Sequence, residues 1–242
     1  MLRTRLGGWT ASDRLYLQSD VSLSLPETAV GRIPAASIKE LETAVQKILD
    51  YERNLSSTVT AAALADPAET GFTGDAEHFL SFFPARNTKI LAAGAIGTDL
   101  LDQPVQIAAY FGHGSLTTWG STNLLDASLG ANLNRSSPLP VVAQFTCLTG
   151  YFIHPSVDSL SEILLFNPRG GASAIFAPSS LSLPSDQNFL AAGLAQAFSS
   201  SDALTLGDAL LSAWRNAPDE SGAQEAAFTF MLLGDPAMRI CK

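Results

Sequence analysis

The sequence predicts an α/β protein with a mostly parallel sheet and helices on both of its faces. Four short runs carry apolar residues on both sides of a strand: residues 58–65 (TVTAAALA), 105–111 (VQIAAYF), 139–145 (LPVVAQF) and 172–177 (ASAIFA). A strand with no polar face must be covered above and below, which is the condition of parallel sheets. Helical patterns alternate with these runs, as crossover connections between parallel strands require.

Taken in order, the elements begin at Ser37. Glu40 follows it by three residues, a capping box, and Ile38, Leu41, Val45, Ile48 and Leu49 then form an apolar stripe that ends near Arg53 and Asn54. Residues 58–65 read as a buried strand stopped by Asp66 and Pro67. A short helix over 76–82 and a strand over 89–93 come next. The strand ending at Phe111 follows, then a polar, helix-capable stretch over 121–133 and the strand ending at Phe145. Residues 159–166 read as a helix stopped by Pro168 and the Gly170-Gly171 pair, and 172–177 as another buried strand. Helices over 186–198 and 206–216 and an apolar run over 228–233 complete the chain. There is no internal repeat and no low-complexity tract.

Composition excludes several function classes. At 242 residues the chain buries a substantial core, and 15% charged residues is lean for a soluble protein. A net charge of −9 disfavours nucleic acid, because phosphate binding needs clustered lysine and arginine. No apolar run approaches the roughly 20 residues of a membrane span. The opening MLRTRLGGWTASD has positive charge without an apolar stretch, so no signal peptide is expected in this chain, and the compartment stays open. Two cysteines, Cys147 and Cys241, do not make a disulfide framework. No His, Cys and carboxylate cluster has zinc spacing, so no metal site is assigned.

Chemistry concentrates at two strand ends. Phe111-Gly112-His113-Gly114-Ser115 and Phe145-Thr146-Cys147-Leu148-Thr149-Gly150 each follow an apolar run, which places His113 and Cys147 at the carboxyl edge of one sheet. In open α/β sheets ligand sites collect at that edge. A thiol needs a base to become thiolate near neutral pH, and imidazole is its usual partner. The 34 residues between the two leave room for one helical crossover. His78, on a short helix, and His154, beside Pro155 in a loop, are the competing bases. Gly170-Gly171 lacks the Lys-Ser/Thr of a phosphate loop. Glu162 is expected to face solvent or cap a neighbouring loop, and Cys241 has no evident partner.

From the His113 strand onward the chain resembles the gingipain-type cysteine peptidases of the caspase-like clan CD. The matching pieces are YFGHGS with Trp119 after it, PVVAQFTCLTGYF, DSLSEILLFNPRGGASAIFAPSS, LGDALLSAW and FMLLGDPAMRI. Upstream, AVGRIPAASIKELETAVQKILDYE resembles the segment preceding the catalytic subdomain, so the match runs from about Asp13 to Ile240. The resemblance implies a caspase-like three-layer sandwich whose N-terminal subdomain is short or truncated. Residues 1–54 would be the remnant of that subdomain and 55–242 the catalytic subdomain.

It also implies a cysteine endopeptidase acting on polypeptides. His113 would be the general base and Cys147 the nucleophile, with the N–H groups of Gly114 and Cys147 as oxyanion hole. Trp119, Phe145 and Tyr151 are implied near the substrate pocket. Asp66 is a further pocket candidate, with an ordinary Asp-Pro turn as the other reading. The family leaves calcium open as a ligand, although no loop here specifies a site, and no other cofactor is implied. Further domains of a longer parent are expected, since relatives carry them. Two alternatives stand beside the peptidase: a non-catalytic caspase-like scaffold or interaction module, and, more remotely, a small-molecule cysteine hydrolase.

Overall fold

The computed structural model describes residues 1–17, 28–91, 93–135, 138–200 and 203–242. A hairpin of β1 (Leu2–Thr4) and β2 (Gly8–Thr10) opens the chain, and α1 (Ile38–Arg53), β3 (Ala61–Ala65) and α2 (Thr70–Ser81) follow. Next come β4 (Thr88–Ile90), α3 (Gly97–Leu101) and β5 (Ile107–Phe111). A small hairpin of β6 (Thr118–Trp119) and β7 (Leu125–Asp126) leads to α4 (Ala127–Asn132) and β8 (Val141–Phe145). The rest is α5 (Leu160–Phe166), β9 (Ala174–Pro178), α6 (Pro184–Ser199), α7 (Leu206–Arg215), α8 (Ser221–Thr229) and β10 (Phe230–Leu233).

Six strands form the central sheet in the order β10-β9-β8-β5-β3-β4, all parallel except β10. Because the four middle strands carry no polar face, two separate apolar layers close over them. Odd-numbered residues of β5 and β8 face α2, α6 and α7, and even-numbered residues face α3 and α5. The expected α/β sandwich, helix–sheet–helix in three layers with a mostly parallel sheet, is what the chain forms.

The register is what builds a site. Ala61 pairs with Ile107, Ile107 with Val141 and Val141 with Ala174, so the strands start level. Ala65, Phe111 and Phe145 therefore end level, and the residues after them leave the sheet at one edge.

Several expected elements differ in extent, each for a local reason. The helix expected over 76–82 begins six residues earlier, at Thr70, because Phe72 already packs into the core. The strand expected over 89–93 spans Thr88–Ile90, with Ala92 outside the described residues. Helix forms only from Ala127 in the stretch 121–133, since Gly120 (φ 73°) and Asn123 (φ 55°) turn the chain into the β6–β7 hairpin first. Helix α3 is five residues long, too short to show a stripe, and α8 carries glycine and alanine in place of one, which hides its period.

Helix α1 corrects the sequence reading most sharply. Its capping box forms, with Ser37 Oγ accepting from Glu40 N–H and the Glu40 carboxylate from Ser37 N–H. Yet Ile38, Leu41, Val45 and Leu49 lie exposed, and the buried side is Ala44, Lys47, Ile48 and Tyr51. Alanine allows close approach, and a lysine stem with a tyrosine ring supplies apolar area that a search for aliphatics overlooks.

Lys47 explains its own burial. Its Nζ donates to the carbonyls of Leu164 and Leu165, in the last turn of α5, at 3.0 and 2.7 Å. Burial lowers its pKa to about 7. The unfolded chain, with lysine near 10.4, therefore binds more protons than the folded chain above pH 7. Stability from this group rises as pH rises from 7 toward 10 and is flat below 7. We expect thermal melts of Lys47→Met to lose that slope, by up to on the order of 1 kcal/mol per pH unit relative to the unaltered chain. Parallel slopes in both proteins would refute the assignment.

Candidate active site

Two short turns leave the sheet edge side by side. The ladder continues one step past each strand: Asp66 N–H donates to Phe111 O at 2.8 Å and Gly112 N–H to Phe145 O at 3.2 Å. The tips are in backbone contact. A Cβ on Gly114 would strike Thr146 Oγ1 and lie 3.2 Å from Cys147 O, and a Cβ on Gly112 would strike Tyr110 Oη and Asp66 Cβ. A side chain at Gly112 would collide with Asp66 and Tyr110, and one at Gly114 would have to displace the Thr146 hydroxyl, so His113 is held between two residues without side chains.

The main chain of His113 is anchored on three sides. Its N–H donates to Asp66 Oδ2 at 3.3 Å, and its carbonyl accepts from Tyr110 Oη and Gly120 N–H, both at 2.8 Å. The imidazole projects into a half-exposed position with its edge against the ring of Phe72, 5.2 Å between centroids. Nε2 lies 2.9 Å from Glu69 Oε1. A carboxylate there favours a proton on Nε2, which leaves Nδ1 as the basic nitrogen of the neutral ring.

Cys147 sits half-buried on the neighbouring tip. Its Sγ lies 3.4 Å from Ser182 O, and burial pushes the thiol pKa up. A carbonyl only accepts, so this contact belongs to the protonated thiol. Leu148, directly after it, adopts φ 59°, and its N–H donates to Ser180 O at 3.1 Å. A branched residue in the left-handed region costs free energy and persists only where surrounding bonds fix it. Gln187, buried on α6, adds such a bond by donating from Nε2 to Thr146 O at 3.2 Å.

Two amides at the tips, those of Gly114 and Cys147, are unused among the described residues. An antiparallel bridge between Gly114 and Trp119 uses Ser115 N–H and His113 O and leaves Gly114 N–H directed away from Trp119. Among the described residues, neither Gly114 N–H nor Cys147 N–H donates to a protein acceptor. Paired unused donors beside a thiol and an imidazole suit the charge of a tetrahedral oxyanion.

Other residues singled out from the sequence fall elsewhere. Trp119 is fully enclosed, stacked on Tyr110 at 4.5 Å with Nε1 donating to Gln144 Oε1 at 2.8 Å, so its ring supports the sheet from the α3 side and meets no groove. Phe145 is 4% exposed, stacked on Phe111 at 4.8 Å. Asp66, 1% exposed, is committed to the N–H groups of His113 and Ala68. Tyr151 is half-buried in the turn that follows Cys147. His78 packs edge-on against Phe82, and His154 Nδ1 accepts from Ser156 and Val157 within its own loop. Glu162 caps its own helix through Ser159, and Cys241 lies near Ala203.

Glu69 was missed. The available signal was its place just after Asp66-Pro67, at the end of a strand of the same sheet. That β3 lies directly beside β5 is a fact of topology, and the local pattern does not contain it.

The sequence profile of peptidase family C25 matches residues 3–241. The chain belongs to peptidase family C25. Gingipain R2 of Porphyromonas gingivalis is 24% identical over 178 residues, covering 66% of this chain and 24% of the relative. Gingipain R1 of the same organism is 23% identical over 178 residues, covering 66% and 18%. The chain thus spans about a quarter or less of the curated relatives it matches. The crystal structure of the Arg-specific cysteine proteinase gingipain R superposes with TM-score 0.81 at 19% identity, covering 95% of this chain and 59% of that one. A complex of gingipain pro- and mature domains from Porphyromonas gingivalis gives 0.78 at 20%, covering 94% and 60%. This C25 chain is gingipain-like in sequence and in its sandwich fold. No helix among its described residues is long and apolar enough to cross a membrane.

Proposed function

We propose that this C25 chain hydrolyses peptide bonds, with Cys147 as nucleophile and His113 as general base. The observation that carries this reading is the level end of β5 and β8, whose next turns bear an imidazole backed by a carboxylate, a thiol and two N–H groups without a protein acceptor among the described residues. Substrate entry draws the thiol off Ser182 O. Nδ1 of His113 takes the thiol proton, and the thiolate adds to the scissile carbonyl carbon. Negative charge moves to the carbonyl oxygen, facing the N–H groups of Gly114 and Cys147. His113 then returns the proton to the leaving amine as the C–N bond breaks, giving an acyl-enzyme. Water, deprotonated by the same imidazole, attacks the thioester and restores the thiol. Glu69 holds the ring and stabilises its charged form. Polypeptide is the substrate in this reading, and further domains of a longer parent are its natural neighbours.

A second reading, a non-catalytic scaffold, draws on the contact between Cys147 Sγ and Ser182 O, which turns the thiol toward a carbonyl. The discriminating experiment is incubation with a mixed peptide library beside labelling by iodoacetamide and peptidyl acyloxymethyl ketones, mapped by mass spectrometry. Cleavage with ketone adducts on Cys147 supports the peptidase. Labelling of Cys241 alone with no cleavage supports the scaffold.

A further inference from the structure

Resting on that reading, we propose that the substrate side chain preceding the scissile bond must be small and uncharged, so this chain does not share the arginine preference of its solved relative. The His113 ring packs on Phe72 of α2 and Cys147 Sγ meets Ser182 O just before α6, so both lie toward the α2–α6 side of the sheet, the side that Phe111 and Phe145 also face, one step deeper. A P1 side chain descending from an acyl carbon held between the two tips meets these rings first. They close the way down. Phe111 and Phe145 stack at 4.8 Å and 22°, the other side of Phe145 is met by Phe230 at 6.1 Å and 26°, and Phe79 lies against both. All four rings are at most 4% exposed.

The floor itself is four phenylalanine rings, so a guanidinium or ammonium descending onto it would find no acid in it and no open ring face. The carboxylates bordering the site are hydrogen-bonded elsewhere: Glu69 to the His113 ring, Asp66 to two backbone N–H groups, Asp75 to Asn188 and Asp186 to Arg5. The broad faces of Phe111 and Phe145 are turned to each other, which removes the usual cation–π seat. On α6, Gln187 leaves its Oε1 unpaired, buried and neutral. Bringing a charge against such a floor without a counter-ion is costly, and a long apolar side chain has no depth to fill.

The test is a series of peptidyl acyloxymethyl ketones that differ only at P1 (Gly, Ala, Ser, Leu, Phe, Lys, Arg, Asp), with adduct formation on Cys147 timed by intact mass and iodoacetamide as a control for thiol reactivity. Glycine, alanine and serine are expected to label at least about 10-fold faster than lysine, arginine or aspartate. Phe145→Ala should raise the relative rate of the leucine compound several-fold by removing one ring, and the series on the unaltered chain decides the matter if that variant does not fold. Arginine or lysine labelling as fast as alanine overturns the proposal while leaving the peptidase reading intact. Alkylation of Cys147 by iodoacetamide with no adduct from any ketone removes the peptidase reading and this inference with it.

Discussion

Cys147→Ala is expected to reduce peptide hydrolysis by about 10⁴-fold or more while leaving the folded state in place. The two expectations separate because the thiol does little for the fold. Cys147 is half-buried, beyond the last residue of β8, and its thiol makes a weak hydrogen bond to Ser182 O at 3.4 Å. Removing a sulfur there costs at most about 1 kcal/mol, equivalent to roughly 2–4 °C in melting temperature for a chain of this size. The turn itself is held by other groups: Leu148 N–H on Ser180 O, Gly150 N–H on Pro178 O, and Gln187 on Thr146 O. Parallel measurement of kcat/KM on a cleaved peptide and of thermal unfolding checks both. Activity retained within 10-fold would remove Cys147 from the chemistry, whereas loss of activity with a collapse in melting temperature would make it structural.

The fold was legible because its strands carry their environment in their composition. IAAYF, VVAQF and AIFAP have no polar face to give to solvent, so two covering layers follow without further information. The thiol and imidazole were legible for a related reason: both stand two residues past such a strand, and parallel strands of one register end at one edge. Side-chain orientation was harder. The stripe of α1 pointed to Ile38, Leu41, Val45 and Leu49, but tertiary packing chose the adjacent face with Ala44, Lys47 and Tyr51. Trp119 looked like a groove wall by its proximity to His113. A bridge from Gly114 to Trp119 turns its ring under the sheet instead, where Gln144 satisfies its N–H. Glu69 was hidden because strand order is a long-range property. Nothing near it in sequence states that β3 and β5 are neighbours.

His113 and Glu69 should differ in how they fail, and that difference tests the arrangement. His113→Ala removes the base and is expected to lower kcat by about 10²–10⁴-fold. The backbone at this point is fixed by Asp66, Tyr110 and Gly120, and the half-exposed ring packs edge-on against Phe72, so the fold should tolerate the change. Glu69→Gln keeps an acceptor within reach of Nε2 but withdraws the negative charge that favours the imidazolium. Both partners are largely solvent-exposed, with side chains 50% and 57% accessible, so the effect on stability should be small. Its signature should instead be kinetic: a drop of about 10-fold in kcat with KM little changed. Unchanged kcat in Glu69→Gln would mean that the 2.9 Å contact with Nε2 does not support the base, and a His113→Ala variant of undiminished activity would take the imidazole out of the reaction altogether.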